Sequence, residues 1–373
     1  MPFGIYFHIP FCRKKCNYCG FYSITDLNLE NNFIDALLNE IEKKKEILKQ
    51  LYHKYNEITA FIGGGTPSLM SSKNLIRFTN KIKEYKNRII EFTIEVNPES
   101  LTEDKLKIYR DIGINRISIG IQSFDDKVLE FLGRPHRLKD AIKTLTIANK
   151  YFDNISIDLI GGIPYFKQTK ETSEKFIEEF KPKHISFYTL SKDKKNKWFD
   201  NIIIDDSKQV DDFNIFSQFL KSLGYIHYEI SNFSLKGYEC KHNINYWDRG
   251  EYVSFGPSAV SFLKKFYNDK DLRIKNVSNV IKYIENPLQV KKEIIPKDKA
   301  LEETIMLSFR MKKGLRKKNL NSLCDEETNN KILTRINFLL QKKFLRENKK
   351  YWYIPEKHFI IINEILLWIL REI

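Results

Sequence analysis

Six short β-branched runs, separated by stretches of helical period, recur through the first half of the chain, and this alternation points to a parallel sheet covered by helices. The runs are GIYFHI (4–9), ITAFIG (58–63), EFTIEV (91–96), RISIGI (116–121), NISIDLI (154–160) and HISFYTL (184–190). Between them lie NNFIDALLNEIEKKKEILKQL, SKNLIRFTNKIKEY and LTEDKLKIYRDIG, the last with Thr102 as its cap and Gly113 as its stop. A doubly wound sheet and a closed or partial barrel both satisfy that order. The polar motifs favour a barrel, because they fall at successive strand ends, which a barrel gathers at one mouth: cysteines after the first run, GGGTPS after the second, EVNPES at the third, IQSF after the fourth and DLIGGIP at the fifth.

Beyond about residue 200 the alternation stops. A helical stretch, SKQVDDFNIFSQFLKSLG, leads to YIHYEISNF and an aromatic-rich segment from Tyr238 to Phe262. From about Pro296, helices near 298–311 and 326–342, a hairpin in KFLRENKKYWYI and a last helix give a winged-helix-like order. The expected organisation is therefore an α/β chain of three parts: a barrel (1–200), a barrel-completing region (201–295) and a smaller, mostly helical part (296–373).

Composition narrows the class. With 373 residues, 42% of them hydrophobic, a large core is within reach. Only five cysteines occur, and Cys240 and Cys324 lie far from the other three, which argues against a secreted disulfide framework and for a reducing cytoplasm. MPFGIYFHIPFC lacks a basic n-region and reads as a buried strand rather than a signal peptide. FIIINEILLWIL is shorter than the roughly 20 residues of a spanning helix, so it reads as a core-packing terminal helix with at most peripheral membrane contact. The formal charge of +15 would suit an anionic partner, yet the lysines are scattered without interleaved aromatics, so no specific nucleic acid is expected. A basic nucleic-acid-binding protein stays as a minor alternative.

The sharpest chemical signal is HIPFCRKKCNYCGFYS, in which Cys12, Cys16 and Cys19 are spaced C-x3-C-x2-C. A closed structural zinc site wants four protein ligands. Three thiolates in one loop suit an iron-sulfur cube with one iron left open, the plainer alternatives being a zinc loop or an unligated cluster of cysteines. In GGGTPS, the side-chain-free backbone at Gly64 and Gly65, with Thr66, allows close approach of a ligand. Glu95, Gln122, Arg134 and Asp158 sit at strand ends where they could bind carboxylate, hydroxyl or ammonium groups.

The C-x3-C-x-aromatic-C loop, with Tyr18 as its aromatic residue, resembles that of the radical SAM superfamily. That resemblance implies a partial (β/α)6 TIM-type barrel and a [4Fe-4S] cluster on Cys12, Cys16 and Cys19. It also implies S-adenosylmethionine (SAM) on the free iron, cleaved reductively to a 5′-deoxyadenosyl radical. YFHIPFC, FIGGGTPSL, IEVNPES, GINRISIGIQSFDDKVLEFLGRPH, IDLIGGIP, HISFYTL and YEISNF extend the likeness over nearly the whole chain and match the HemN/HemW branch of that superfamily. By motif matching, the branch's SAM contacts fall on Tyr6, Tyr18, Gly64, Gly65, Thr66, Glu95, Gln122, Arg134 and Asp158.

Within the branch, three features resemble the haem-chaperone type rather than the oxygen-independent coproporphyrinogen III dehydrogenases. Phe21 stands where the latter carry a further cysteine, little chain precedes Tyr6, and HNINYW supplies His242, Asn243, Tyr246 and Trp247. The resemblance implies haem on that motif, with His242 suited to iron and Tyr246 and Trp247 to a flat macrocycle. Residue chemistry alone favours a plainer reading, His242 and Asn243 capping a turn with the two aromatics in the core. Cys240 is a lesser candidate ligand, and Cys324 reads as a buried small hydrophobe. The expected function is haem transfer to an acceptor protein, with a flavodoxin-like, ferredoxin-like or NADH-dependent electron donor and a homodimer left open. Oxidative decarboxylation of coproporphyrinogen III is the alternative. Two segments depart from the branch's pattern near the substrate mouth: GGIPYFKQT, with two extra residues before its glutamine, and LSKDKKNKW.

Overall fold

The computed structural model describes residues 1–192 and 196–371. Its core is built on strict two-residue alternation. In β1 (Phe3–Ile9), β2 (Ile58–Gly64), β3 (Ile89–Val96), β4 (Arg116–Gln122), β5 (Ile155–Gly161) and β6 (His184–Thr189), one parity is apolar and the other largely polar. Ile5, Phe7, Ile9, Ala60, Ile62, Ile94, Ile117, Ile119, Ile157 and Phe187 form the buried outer layer against the helices. The opposite parity turns inward and carries Tyr6, His8, Glu95, Arg116, Ser118, Asp158 and Ser186, so the lumen is polar.

The covering helices are α1 (Glu30–Lys43), α2 (Lys45–Lys54), α3 (Ser72–Thr79), α4 (Glu103–Asp111), α5 (Asp126–Phe131), α6 (Leu138–Tyr151) and α7 (Thr169–Phe180). Thr102 caps α4 through Lys105 N, and Gly113 ends its turn at φ +95°, as expected from sequence. Two stretches depart from single helices. The first divides at Lys44, whose ammonium turns inward to Glu40 and the Ser254 carbonyl. The second leaves the α-helical path after Thr79, whose hydroxyl bonds back to the Leu75 carbonyl, and continues as a 3-10 helix to Arg88.

After α8 (Asp206–Ser222) come β7 (Ile226–Glu229), β8 (Asn232–Ser234), α9 (Lys241–Trp247), β9 (Tyr252–Phe255), β10 (Val260–Tyr267), β11 (Lys270–Asn276), α10 (Val280–Glu285) and β12 (Val290–Ile295). All twelve strands join one sheet in the order β12-β11-β10-β9-β1-β2-β3-β4-β5-β6-β8-β7. Strands β9 and β1 to β6 run parallel, and the flanking pairs are antiparallel. Since β12 and β7 do not pair, the curved sheet is a partial barrel. The sequence alternation gives six of the parallel strands; the seventh, β9, arrives from 248 residues downstream to flank β1, pairing Tyr252 with Gly4.

The last segment contains α11 (Lys297–Phe309), β13 (Leu315–Arg316), α12 (Lys317–Leu323), α13 (Glu326–Gln341), β14 (Arg346–Glu347), β15 (Tyr351–Tyr353) and α14 (Ile362–Leu370). Its antiparallel sheet has the order β13-β15-β14, and it owns a core around Ile305, Phe309, Ile336, Trp352 and Ile369. Helix, strand, helix, helix, strand, strand is a winged-helix-like order. Cys324 is half-buried there.

One carboxylate clips the C-terminal strands to the barrel. Glu40, fully buried on α1, accepts from Lys44 (2.5 Å), Asn276 Nδ2 (2.7 Å), Gly256 N (2.9 Å) and Tyr283 O–H (2.6 Å). Glu40→Ala leaves the Lys44 charge buried without its partner, which costs roughly 3–5 kcal/mol. Denaturant titration should show that loss, and a loss under 1 kcal/mol would contradict the clip.

Candidate functional site

The barrel floor is closed by α9, which enters the lumen end-on. Its first N–H groups, on Lys241 and His242, donate to the two carboxylate oxygens of Glu91 on β3, each at 2.9 Å. A helix N-terminus leaves such donors unsatisfied, and a carboxylate is their best partner. Cys240 Sγ lies 3.5 Å from the same carboxylate, and burial pushes its thiol up to about 12. It is a neutral thiol facing inward, not an available ligand.

His242 is part of this plug. Its Nδ1 bonds Thr59 Oγ1 at 2.9 Å, its Nε2 bonds the Tyr246 hydroxyl at 2.8 Å, and its ring stacks on Phe61. Burial, with Arg116 nearby, lowers its pKa to about 3, so the imidazole is neutral. In this conformation both ring nitrogens of His242 have internal partners and the residue is 1% exposed.

Above the plug lies a cavity of about 490 Å³. It is lined by Cys12, Cys16, Cys19 and Tyr18 from the loop after β1, Gly64, Gly65 and Thr66 after β2, Glu95 on β3, Gln122 on β4, Arg134 after α5, Asp158 on β5 and Asn243 on α9. Twelve of the sixteen residues singled out from sequence therefore share one chamber. Tyr6 and Tyr246 line a neighbouring cleft of about 650 Å³ with Tyr252 and Phe262, and Gly20 and Phe21 border both spaces. Trp247 lies under the Arg310 guanidinium, outside either lining.

The glycine loop is shaped by close approach. Gly65 N donates to the Ile9 carbonyl and Thr66 N to the Phe11 carbonyl, each at 2.7 Å. A Cβ on Gly65 would sit 2.6 Å from the Phe11 oxygen, and Gly64 holds φ +112° while its N–H donates to Glu95 at 3.0 Å. Gln122 takes φ +68°, a left-handed conformation unusual for a non-glycine residue and often found at working sites.

Two cations, Arg116 and Arg134, share the chamber with two buried carboxylates, and Arg116 offsets only part of the cost of ionising them. Burial first and Asp158 second push Glu95 up to about 8, and burial also raises Asp158, against hydroxyl bonds from Ser186 and Ser118. The three thiols border the chamber without converging: among the described residues, no group of three such side chains could hold a single metal ion. Separate cysteines around one space fit a cluster whose iron atoms are bound one per cysteine. Thr66 Oγ1 and Arg134 Nη1 already donate to Cys12 Sγ and Cys16 Sγ, at 3.5 and 3.4 Å, as partners of ligating thiolates do.

Sequence reasoning passed over Glu91, Asn97, Arg116, Ser118 and Ser186. Parity was the available signal, because Arg116 and Ser118 share the inward face of β4 with Gln122, and Ser186 on β6 is in register with Asp158. The two departing segments meet at the rim: Tyr165 and Phe166 from the first and Trp198 from the second all pack on Phe131, at 6.4, 5.3 and 5.1 Å between centroids. Residues 193–195 of the second segment lie outside the described residues.

Residues 6–179 match the family model of the radical SAM superfamily. The chain is 33% identical to the haem chaperone HemW of Buchnera aphidicola from Acyrthosiphon pisum, over 98% of this chain and 97% of the relative. It is 31% identical to HemW of Haemophilus influenzae, over 100% and 98%. The solved structure of coproporphyrinogen III oxidase (HemN) from Escherichia coli superposes with a TM-score of 0.82, covering 100% of this chain and 91% of that one, at 19% identity, a likeness of fold.

Gly65→Ala should disrupt the seat of the cysteine loop. Anaerobic reconstitution followed by iron and sulfide analysis should find at least a several-fold drop in uptake, and full uptake would contradict the close packing.

Proposed function

Because the chain belongs to the radical SAM superfamily, in the family of the haem chaperone HemW, we propose that it binds haem and passes it to an acceptor protein, using a [4Fe-4S] cluster and SAM. The supporting observation is the single chamber in which three cysteines, a glycine loop and a buried carboxylate pair with raised pKa values meet. Bound there, the cluster supplies an electron and SAM a cleavable sulfonium.

The chain's own residues set up that chemistry. Cys12, Cys16 and Cys19 hold the cluster; the backbone at Gly64 and Gly65 lies against the amino end of SAM. Glu95 and Asp158 receive its positive groups, Gln122, Arg134 and Thr66 its carboxylate and hydroxyls, and Tyr18 closes the wall. Arg13, Lys14 and Lys15, exposed between two of the cysteines, suit an acidic flavodoxin-like or ferredoxin-like donor better than an NADH-dependent one.

Haem belongs in the aromatic cleft beside the chamber, against Tyr6, Tyr246, Tyr252 and Phe262. His242 then acts on haem through the hydroxyl of Tyr246, and Asn243 faces the chamber. A cytoplasmic location, with at most peripheral membrane contact, fits thiolates that must stay reduced. Among the described residues, no helix is long and apolar enough to cross a membrane. The decarboxylase alternative is supported by fold alone; protoporphyrinogen formed from anaerobic coproporphyrinogen III, detected by chromatography, would favour it instead.

Two outcomes are expected. Haem titration of the reconstituted protein should show saturable Soret absorbance, weakened about tenfold by Tyr246→Ala (~1.4 kcal/mol). His242→Ala should weaken binding without moving the Soret maximum; a moved maximum would make His242 an iron ligand after all. SAM affinity should also depend on pH. Glu95, protonated below about 8 without ligand, must lose its proton to face a cation. Affinity therefore rises with pH by at most about tenfold per unit up to that value and levels off above it. Isothermal titration in buffers of different ionisation enthalpy should detect the released proton, and Glu95→Gln should abolish its release.

A further inference from the structure

We infer that Asn97 is a positioning residue that sets the reduction potential of the cluster by holding one donor on each of two cysteine sulfurs. Asn97 follows β3 and borders the chamber without touching a cysteine. Its side-chain oxygen accepts from Arg134 Nη2 at 2.8 Å, and its amide nitrogen donates to Thr66 Oγ1 at 2.9 Å.

The direction of this relay follows from chemistry. A guanidinium can only donate, so the Asn97 oxygen must face Arg134 and its NH₂ must face Thr66. The Thr66 oxygen then accepts from Asn97, which leaves its own proton free for Cys12 Sγ, 3.5 Å away. Arg134 spends Nη2 on Asn97 and the Gly120 carbonyl, both at 2.8 Å, which fixes the guanidinium plane so that Nη1 meets Cys16 Sγ at 3.4 Å. One amide thereby orients both sulfur donors.

Asn97 is itself immobilised. Its N–H donates to Ser68 Oγ at 3.1 Å, its carbonyl accepts from Ser100 N and Oγ, at 3.1 and 3.0 Å, and Pro98 holds it in the extended conformation. Thr66 and Arg134 are themselves buried, 3% and 7% exposed, so water is a poor substitute for the lost amide. Donors to cluster sulfurs, and a cation among them, stabilise the reduced state, which carries the additional negative charge, and so raise the potential.

The inference rests on the cluster part of the proposed function. Its test is a redox titration of the reconstituted protein without SAM or haem, followed by electron paramagnetic resonance. Asn97→Ala should lower the midpoint potential by about 59 mV, a tenfold change in the one-electron equilibrium. Thr66→Val, which removes the Cys12 donor alone, should lower it less, and Thr66→Ser should leave it unmoved. Asn97→Ala in the Thr66→Val background should shift it by less than in wild type, because the two share one path. A loaded Asn97→Ala protein with wild-type potential, or strict additivity of the two substitutions, overturns the inference. Should Asn97→Ala take up no cluster, the Thr66 pair decides: equal potentials for Val and Ser overturn it as well. A wild-type chain that takes up no iron and sulfide would overturn the cluster reading instead.

Discussion

Glu91 is the residue on which the interior depends. Its carboxylate receives the first two N–H groups of α9 and so seats the helix across the floor of the barrel. Arg116, 2% exposed in the same layer, is held charged by neighbours that include the Glu91 carboxylate, which offset its desolvation. A partial barrel has an open flank and needs such a plug to keep its lower lumen dry. With the floor sealed, the carboxylates above it lie in a medium where charge is expensive, and this explains why Glu95 holds its proton into the neutral range.

Burial and the neighbouring Asp158 raise Glu95 against the opposing pull of Arg116, so a further cation beside the pair favours its ionised form. At the upper end the polarity reverses: Arg134 and the Thr66 hydroxyl face sulfurs that become anionic on ligation. The chamber thus carries negative character below and donors above, along the line from β3 and β5 to the cysteine loop. Gly20 and Phe21 border both the chamber and the aromatic cleft beside it, so the proposed haem site would adjoin the proposed cluster site without sharing its polar walls.

Much of this was legible in the sequence. The strand runs lie within two residues of the observed strands, and inward parity follows from a single inward residue on each. The cysteine spacing and the glycine loop announced themselves because their chemistry is local: three thiols in eight residues, and a backbone too close to its neighbour for a side chain. HNINYW was harder, since a histidine beside aromatics has the same composition whether it binds a ligand or fills a core. Its actual partners, Thr59 and Phe61, come from a strand 180 residues earlier. Asn97 was hidden likewise, in a motif from which only Glu95 had been read.

The sequence by itself determined the alternation of elements, the polar parity of the lumen and the three-cysteine loop, because each depends on residues close together along the chain. Tertiary structure alone decided that β9 flanks β1, that α9 plugs the floor and that His242 faces inward. It also decided that the two departing segments meet on Phe131. Those outcomes depend on which buried donors and charges find partners across distant segments, and a carboxylate such as Glu91 or Glu40 has no partner until the chain has closed around it.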